Sequence, residues 1–446
     1  MQGLVTDPRM VQAYVGDASR IEGWADAVIR PQNDDEVAEA LALATGRGWP
    51  VTVVGARTST TGSSVPRGGL ILATERLRGC AMLGDQVVAA AGERLGDVAR
   101  FAADRGWHLP PDPTSRDEAT VGAAVATNAS GARSYRFGST RAWVASARVV
   151  LADGQAFDVG VGQAPPDDWP VPIWAEPQVK TAAGYRSGGT FLDLVVGSEG
   201  TLGVVTLVTL RLRPSPPQVV GAMAFFDDVA AGEAFVDALR DGGASPRCIE
   251  WFDATSLAMA AEGPEGPPAA KAAVFAEFED EAALEWLAAH AGGAREVAVA
   301  SDVTGLRRFA NWRARVPLAV AERLARTGMR KVGTDLAVPR GAGPEMRTAY
   351  RAVPMPSVLF GHIGDEHLHL NLFASDEAER LRALQIHADL AAQAVALGGT
   401  VSGEHGIGKV KRQLFAAMVG ENVLSDFRAL RRAADPRGML APGNLT

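Results

Sequence analysis

Val51-Thr52-Val53-Val54-Gly55-Ala56-Arg57-Thr58-Ser59-Thr60-Thr61-Gly62-Ser63-Ser64-Val65-Pro66-Arg67-Gly68-Gly69-Leu70-Ile71-Leu72-Ala73 reads as strand, loop, strand. A dinucleotide loop of the doubly wound kind opens a helix, whereas this loop leads straight to another strand. Its hydroxyls and two flanking glycines suit a nest of backbone N–H groups around a pyrophosphate. Working outward, Ala27-Val28-Ile29-Arg30-Pro31 is a strand. Asp34 can cap a helix to about Arg47, because Val37, Ala40, Leu41 and Ala44 recur at helical spacing. Residues 1–25 form a helical lead-in.

Two further stretches are built from small residues. One is Pro111-Asp112-Pro113-Thr114 followed by Ala119-Thr120-Val121-Gly122-Ala123-Ala124-Val125-Ala126-Thr127-Asn128-Ala129-Ser130-Gly131. Side chains this small let a flat cofactor ring lie against backbone. The other, Val195-Val196-Gly197-Ser198-Glu199-Gly200-Thr201-Leu202-Gly203-Val204-Val205-Thr206, reads as strand, tight glycine turn, strand. Packing alone does not account for three such loops in succession.

A different chemistry gathers near the C-terminus. Gly361-His362-Ile363-Gly364-Asp365-Glu366-His367-Leu368-His369-Leu370-Asn371 holds three of seven histidines. Ser357 to His362 is apolar and β-prone, Gly364-Asp365 is a turn signal, and His367 to Phe373 alternates, which together spell a β-hairpin. With a loop from Ile363 to Glu366, His362 faces His367, and His369 lies one diagonal step away on the same face. Diagonal neighbours about 7 Å apart can close on a metal with bonds of about 2.0–2.1 Å. A carboxylate follows in Thr400-Val401-Ser402-Gly403-Glu404-His405-Gly406-Ile407-Gly408, a short strand entering a glycine-flanked turn. Two histidines and Glu404 would leave positions open for a substrate, with His405 free to act as a base. Histidines that merely pack in a sheet are the alternative, and the joint pattern disfavours it. His108, His290 and His387 stand alone and read as structural or surface residues.

Length and composition bound the rest. A chain of 446 residues holds about three domains or two large ones. Hydrophobic content of 47% and charged content of 22% are those of a soluble globular enzyme. No apolar run approaches the roughly 18 residues of a membrane span, and Met1-Gln2-Gly3 opens no signal peptide. The net charge of -8, spread without blocks, argues against a nucleic-acid surface. Cys80 and Cys248 are too few for a thiolate site or a disulfide framework. A cytoplasmic location, with or without peripheral contact to a membrane, is expected. Arg211-Leu212-Arg213-Pro214-Ser215-Pro216-Pro217 reads as a linker, and Val219 to Phe226 opens a second sheet. The stretch 257–293 carries a Pro/Gly loop, a strand at Ala273 to Phe278, a helix at Glu281 to Ala291, and no chemistry.

On these motifs the chain resembles the FAD-binding enzymes of the vanillyl-alcohol oxidase type, with a PCMH-type FAD domain, in the D-lactate, glycolate and D-2-hydroxyglutarate dehydrogenase branch. The most specific pieces are Gly197-Ser198-Glu199-Gly200-Thr201-Leu202-Gly203, Gly361-His362 with Gly364-Asp365 and Leu368-His369, and Gly403-Glu404-His405-Gly406. The resemblance covers nearly the whole chain. It implies an α+β fold: a bipartite FAD-binding domain at 26–213 after a lead-in at 1–25, and a substrate or cap domain with an antiparallel sheet at 214–430. Residues 431–446 would return to the FAD domain.

Position by position, the resemblance implies that Gly55, Ala56, Arg57, Thr58, Ser59, Thr60, Thr61, Gly62 and Ser64 form the pyrophosphate loop. Thr114, Thr120, Gly122, Ala123, Asn128, Gly131, Gly197, Glu199, Gly203 and Val204 would be further FAD contacts. His362, His369 and Glu404 match ligands of one divalent metal (Zn, Mn or Fe), His405 a base, and Asn371 a substrate contact. Arg313 and Lys331 lie where the family holds substrate carboxylates, and a guanidinium grips a carboxylate bidentately.

The activity implied is oxidation of a D-2-hydroxy acid to the 2-oxo acid, with hydride passing to flavin N5 and electrons leaving to an unidentified acceptor. The substrate, the metal and any homo-oligomer stay open. Two departures stand out. Many relatives carry three glycines where this chain has Gly55-Ala56-Arg57. The hairpin turn, usually Gly-Asp-Gly-Asn, is Gly364-Asp365-Glu366-His367. His367 is read as a solvated turn residue, with an added ligand or a partner of the metal site as the alternatives. His108 is the lone histidine of the flavin domain, so FAD is expected to be held without a covalent link. Other readings are a flavin-binding subunit of a larger complex, an inactive homologue, or a metal-dependent hydrolase without flavin.

Overall fold

A computed structural model describes residues 3–261 and 266–446. Leu70–Ala73 returns beside Val51–Val54 in parallel, with Val51 opposite Leu70 and Val54 opposite Ala73. A parallel partner cannot be reached by a tight hairpin, so residues 55–69 must carry the chain back along the strand, and this leaves the loop its length. Ala27–Ile29 pairs with the other edge of Leu70–Ala73, again in parallel.

The helix Asp34–Arg47 buries Val37, Ala40, Leu41 and Ala44 on this sheet. Its cap is Asn33 rather than the expected Asp34: Asn33 Oδ1 accepts from Glu36 N at 2.9 Å. That leaves Asp34, Asp35 and Glu36 in the first turn, where negative charge complements the helix dipole. The lead-in is another correction, because between residues 3 and 25 only Pro8–Gln12 is helical. Asp7 caps that turn and Pro8 starts it. Beyond it Asp17 accepts from Ser19 N at 2.9 Å, folding a turn in place of a helix, and Val11 and Val15 pack on Val28 and Ile71.

An antiparallel sheet of five strands follows, in the order Cys80–Leu83, Gln86–Ala90, Val204–Arg211, Val144–Val150, Ala156–Gly160. The small-residue stretch contains the helix Val121–Ala126, capped by Thr120. Phe191–Val195 is also helical, so the expected strand at Val195 is absent. Thr190 and Asp193 form a reciprocal capping box there, and this local signal overrides the β-branched pair Val195-Val196.

After the two-residue strand Arg213–Pro214, Val220–Phe226 opens an antiparallel sheet of eight strands. Its order is Glu296–Ala300, Val220–Phe226, Ala272–Phe278, Cys248–Asp253, Ser357–His362, His367–Ala374, Arg330–Gly333, with Leu336–Ala337 also on His367–Ala374. One face buries Ile249, Trp251, Val274 and Ala276 with Val236 and Leu239 of the helix Val229–Asp241. The other buries Cys248, Phe252, Ala273 and Phe275 with Leu257, Phe309 and Val316. The helix Ala282–His290 lies where the sequence predicts one, while part of the expected Pro/Gly loop, 262–265, falls outside the described residues.

The last helix, Arg412–Ala434, breaks at Gly420, whose φ of +77° favours glycine. The chain then returns to its first sheet: Val51 N donates to Met439 O at 2.7 Å and Ala441 N to Val51 O at 2.8 Å. Ion pairs also join the halves, with Arg133 Nε 2.7 Å from Glu277 Oε2 and Arg213 Nη1 2.6 Å from Glu279 Oε1.

Candidate active site

His362 lies directly opposite His367 in the hairpin, and Phe360 opposite His369. Strand alternation therefore puts His362, His367, His369 and Asn371 on one face, while Leu368, Leu370 and Leu372 enter the core behind them. Burying each of those leucines contributes about 2 kcal/mol, which makes a one-residue slip of register costly. The turn is tied from below: Arg347 Nη1 is 2.6 Å from Glu366 Oε2, and Arg240 Nη2 is 2.7 Å from Glu366 Oε1.

Glu404 comes to this face from a segment that the sequence predicts as a short strand. In the structure it makes one bridge, Ala337 to Thr400. Side-chain bonds to Asp335 replace the missing ladder. Its carboxylate accepts from His367 Nε2 at 2.8 Å, Ser402 Oγ at 2.9 Å, His405 N at 3.0 Å and Glu404 N at 3.2 Å, and it pairs with Lys411. Despite burial, His405 and Lys411 hold the Asp335 carboxyl well below the usual carboxylate range.

Glu404 Oε2 lies 3.3 Å from His362 Nε2, and Oε1 lies 3.2 Å from His369 Nε2 and 3.4 Å from His405 Nε2. Donors on a tetrahedral ion with bonds of about 2.0–2.1 Å sit about 3.3 Å apart, so the first two spacings suit a metal. The imidazoles are also aimed for it. His362 Nδ1 donates to Glu250 Oε1 at 2.7 Å and His369 Nδ1 to Thr334 O at 3.4 Å, which turns both Nε2 atoms toward Glu404. His362 Nε2 is buried and makes no regular hydrogen bond among the described residues, with Glu404 Oε2 facing it at 3.3 Å.

Electrostatics sharpen the site. Burial pushes the Glu404 carboxyl up, but Lys180 and then His362 bring it well below its ordinary value. Burial likewise opposes charge on His362, yet Glu250 lifts it to about 9. Burial lowers His369. His367 is fully buried, not a solvated turn residue, because the Asp335 carboxylate draws it inward. Burial and then Lys180 keep it well below the usual histidine range.

The expected substrate groups divide. Asn371 is buried two residues beyond His369. Lys331, opposite Phe373, is on the same face but exposed, and confinement followed by Arg20 lowers its amine. Arg313 meets the cluster indirectly, with Nη2 3.7 Å from Glu250 Oε2 and its guanidinium over Phe275.

The small-residue loops converge on one another and on the segment after His405. A Cβ on Gly55 would stand 2.5 Å from Thr120 Oγ1 and 3.2 Å from Ala123 Cβ, so that first glycine has no room for a side chain. Gly197 N donates to Val125 O at 3.0 Å and Glu199 N to Ala126 O at 2.7 Å. The Glu199 carboxylate is spent on Ile407 N and Gly408 N, both at 2.7 Å, so it fixes the turn after His405. Thr61 Oγ1 donates to His405 O at 3.3 Å, and Thr61 O accepts from Lys409 N at 2.9 Å. Arg57 and Asn128 take positive φ. Thr114 is exposed, and Gly131 abuts Asp112 O.

Sequence reading missed Lys180, Glu250 and Asp335. Lys180 Nζ donates to Glu404 Oε2 at 3.0 Å and to Gly131 O at 3.1 Å. Only Glu250 left a signal: a charge inside the apolar run Cys248-Ile249-Glu250-Trp251-Phe252 needs a buried partner.

The fold is shared with solved structures. A 4-ethylphenol oxidase from Gulosibacter chungangensis superposes with a TM-score of 0.72 at 16% identity, covering 100% of this chain and 94% of that one. An alkyldihydroxyacetonephosphate synthase gives 0.70 at 15%, covering 99% and 82%. Residues 25–160 match the model of an FAD binding domain, and residues 215–445 match that of the FAD linked oxidases, C-terminal domain. The chain belongs to the FAD-linked oxidase family and is an FAD-dependent oxidoreductase. It is 29% identical to a glycolate oxidase subunit of Bacillus subtilis over 98% of this chain and 92% of that protein. A D-lactate dehydrogenase of Anaerostipes hadrus (29%, 97% and 92%) and a D-2-hydroxyglutarate dehydrogenase of Xanthomonas citri pv. viticola (29%, 99% and 94%) are similarly related. Among the described residues no helix is long and apolar enough to cross a membrane.

Proposed function

We propose that this protein oxidises a D-2-hydroxy acid to the 2-oxo acid in the cytoplasm. Residues 26–213 would hold FAD through the loops at Gly55 to Ser64, Thr114 to Gly131 and Gly197 to Val204, residues 214–430 would hold the substrate, and 431–446 would close back on the flavin domain. When bound, FAD supplies a hydride acceptor at N5, and a divalent cation on His362, His369 and Glu404 supplies a positive charge that acidifies a hydroxyl beside it. His405 takes the hydroxyl proton at Nε2. Its Nδ1 lies 3.4 Å from Asp335 Oδ2, which favours the tautomer with that lone pair free. The ring is a third exposed, so substrate can reach it. Asn371 and Lys331 orient the acid from the same face, while Arg313 steadies Glu250 and adds positive charge behind His362.

The observation that carries this reading is the meeting of His362, His369 and His405 on the single carboxylate of Glu404, beside Lys180 from the flavin half. Anaerobic addition of D-2-hydroxy acids to the purified protein tests it. One acid should bleach the flavin spectrum, and a chelator should abolish the bleaching. A flavin indifferent to every acid would remove the activity and leave the cofactor. That outcome would favour the second reading, a flavin subunit of a larger oxidase, which the subunit relative of Bacillus subtilis supports.

A further inference from the structure

His362 and His367, paired across the hairpin, share one pattern of bonding. His362 gives Nδ1 to Glu250 Oε1 at 2.7 Å and turns Nε2 to within 3.3 Å of Glu404 Oε2. His367 gives Nε2 to Asp335 Oδ1 at 2.8 Å and leaves Nδ1 buried and unpartnered. Since a carboxylate accepts only, His367 carries a proton on Nε2, and its Nδ1 is left without a partner among the described residues. A buried ring nitrogen without a partner is destabilising, because it has given up its hydration for nothing. A cation held beside His362, His369 and Glu404 would give that nitrogen a partner.

The space around His367 is shaped for the ring. It packs on Gly403, the residue before Glu404, where a Cβ would come within 2.6 Å of Nε2. Donor atoms of His362, His367, His369 and Glu404 all lie within 4.8 Å of one another. Opposite ligands of a six-coordinate ion with bonds of about 2.1 Å stand about 4.2 Å apart, so four donors in this volume fit one such ion after small rotations. An unpartnered histidine nitrogen is not by itself enough, because His387 Nε2 is another. His387, however, belongs to no group of potential ligands among the described residues.

We propose that His367, through Nδ1, is a fourth protein ligand, so that the chain offers three imidazoles and one carboxylate to its divalent cation. The inference rests on the reading of His362, His369 and Glu404 as a metal site. It narrows the metal. Four protein ligands close a tetrahedral zinc site, whereas a six-coordinate Mn(II), Fe(II) or Co(II) ion keeps two positions, the number that the carboxylate and hydroxyl of a 2-hydroxy acid require.

The test is pulsed EPR of the FAD-containing protein, labelled with 15N-histidine and loaded with Mn(II) alone, counting coupled imidazole nitrogens in the wild type and in His367→Asn. Three should be found in the wild type and two in the variant. A chelator competition should show Mn(II) held about 10–100-fold more weakly by the variant, with its flavin spectrum unchanged. Two imidazoles in the wild type, or three in both proteins, would overturn the fourth ligand and leave the metal site standing. A wild type that binds no Mn(II) would overturn both. If His367→Asn does not fold, the wild-type count still decides.

Discussion

Lys180 Nζ lies 3.0 Å from Glu404 Oε2, so a cation more than two hundred residues away in the chain offsets the carboxylate at the centre of the histidine cluster. Both side chains are almost wholly buried. Removing one partner of such a pair costs about 3–5 kcal/mol, because the other charge is stranded. Lys180→Met should therefore melt lower than the wild type in the presence of a chelator. Adding Mn(II) should raise its melting temperature by more than it raises the wild type's, since a divalent ion restores the missing positive charge. Equal metal-induced shifts in the two proteins would show that Lys180 does not balance Glu404.

Asp335 holds the backbone of both Glu404 and His405, so its carboxylate governs where the proposed ligand and the proposed base stand. In Asp335→Asn the amide cannot accept at both ends. Anaerobic flavin reduction should slow by about 100-fold or more while FAD remains bound. A rate within a few-fold of the wild type would remove Asp335 from this role.

Gly403 is the position at which the fit of His367 can be disturbed without touching the ring. A Cβ at 2.6 Å from Nε2 forces the imidazole or the Glu404 backbone to move. Gly403→Ala should cost about 1–3 kcal/mol by overpacking and weaken Mn(II) binding. A melting curve and a chelator competition indistinguishable from the wild type would contradict the close packing.

His387 gives the pH prediction. It is 8% exposed, and burial followed by Lys411 lowers its pKa to about 4, against about 6.5 unfolded. Its folded pKa is depressed, so the unfolded chain binds the proton more readily below pH 6.5. The stability it contributes is present above about pH 6.5 and is lost as pH falls toward 4. Between pH 6.5 and pH 5 the loss is about 2 kcal/mol. His387→Leu should melt with a smaller difference between pH 7 and pH 5 than the wild type, and an unchanged difference would assign the acid sensitivity elsewhere.

Several elements were legible because their signals are local. Periodicity places the helix Asp34–Arg47, and alternation with a Gly-Asp turn places the hairpin to within a residue, including the pairing of His362 with His367. Where local signals compete, the sequence misleads. Val195-Val196 looks like a strand, but the Thr190 and Asp193 capping box makes it the end of a helix. Thr400-Val401-Ser402 looks like a strand, yet it is held by side-chain bonds to a residue 67 positions away.

The sequence by itself determined the small-residue loops, the histidine hairpin and the carboxylate beside a fourth histidine, because each is a pattern local in the chain. The tertiary structure decided what those groups meet. Burial of His367 follows from Asp335, the charge balance of Glu404 from Lys180, and the aim of His362 from Glu250. Each partner lies on another strand, in the link between two strands, or in the other half of the chain. A buried charge or imidazole must find a partner to offset its lost hydration, but residue types near it in sequence do not say which distant group will supply one.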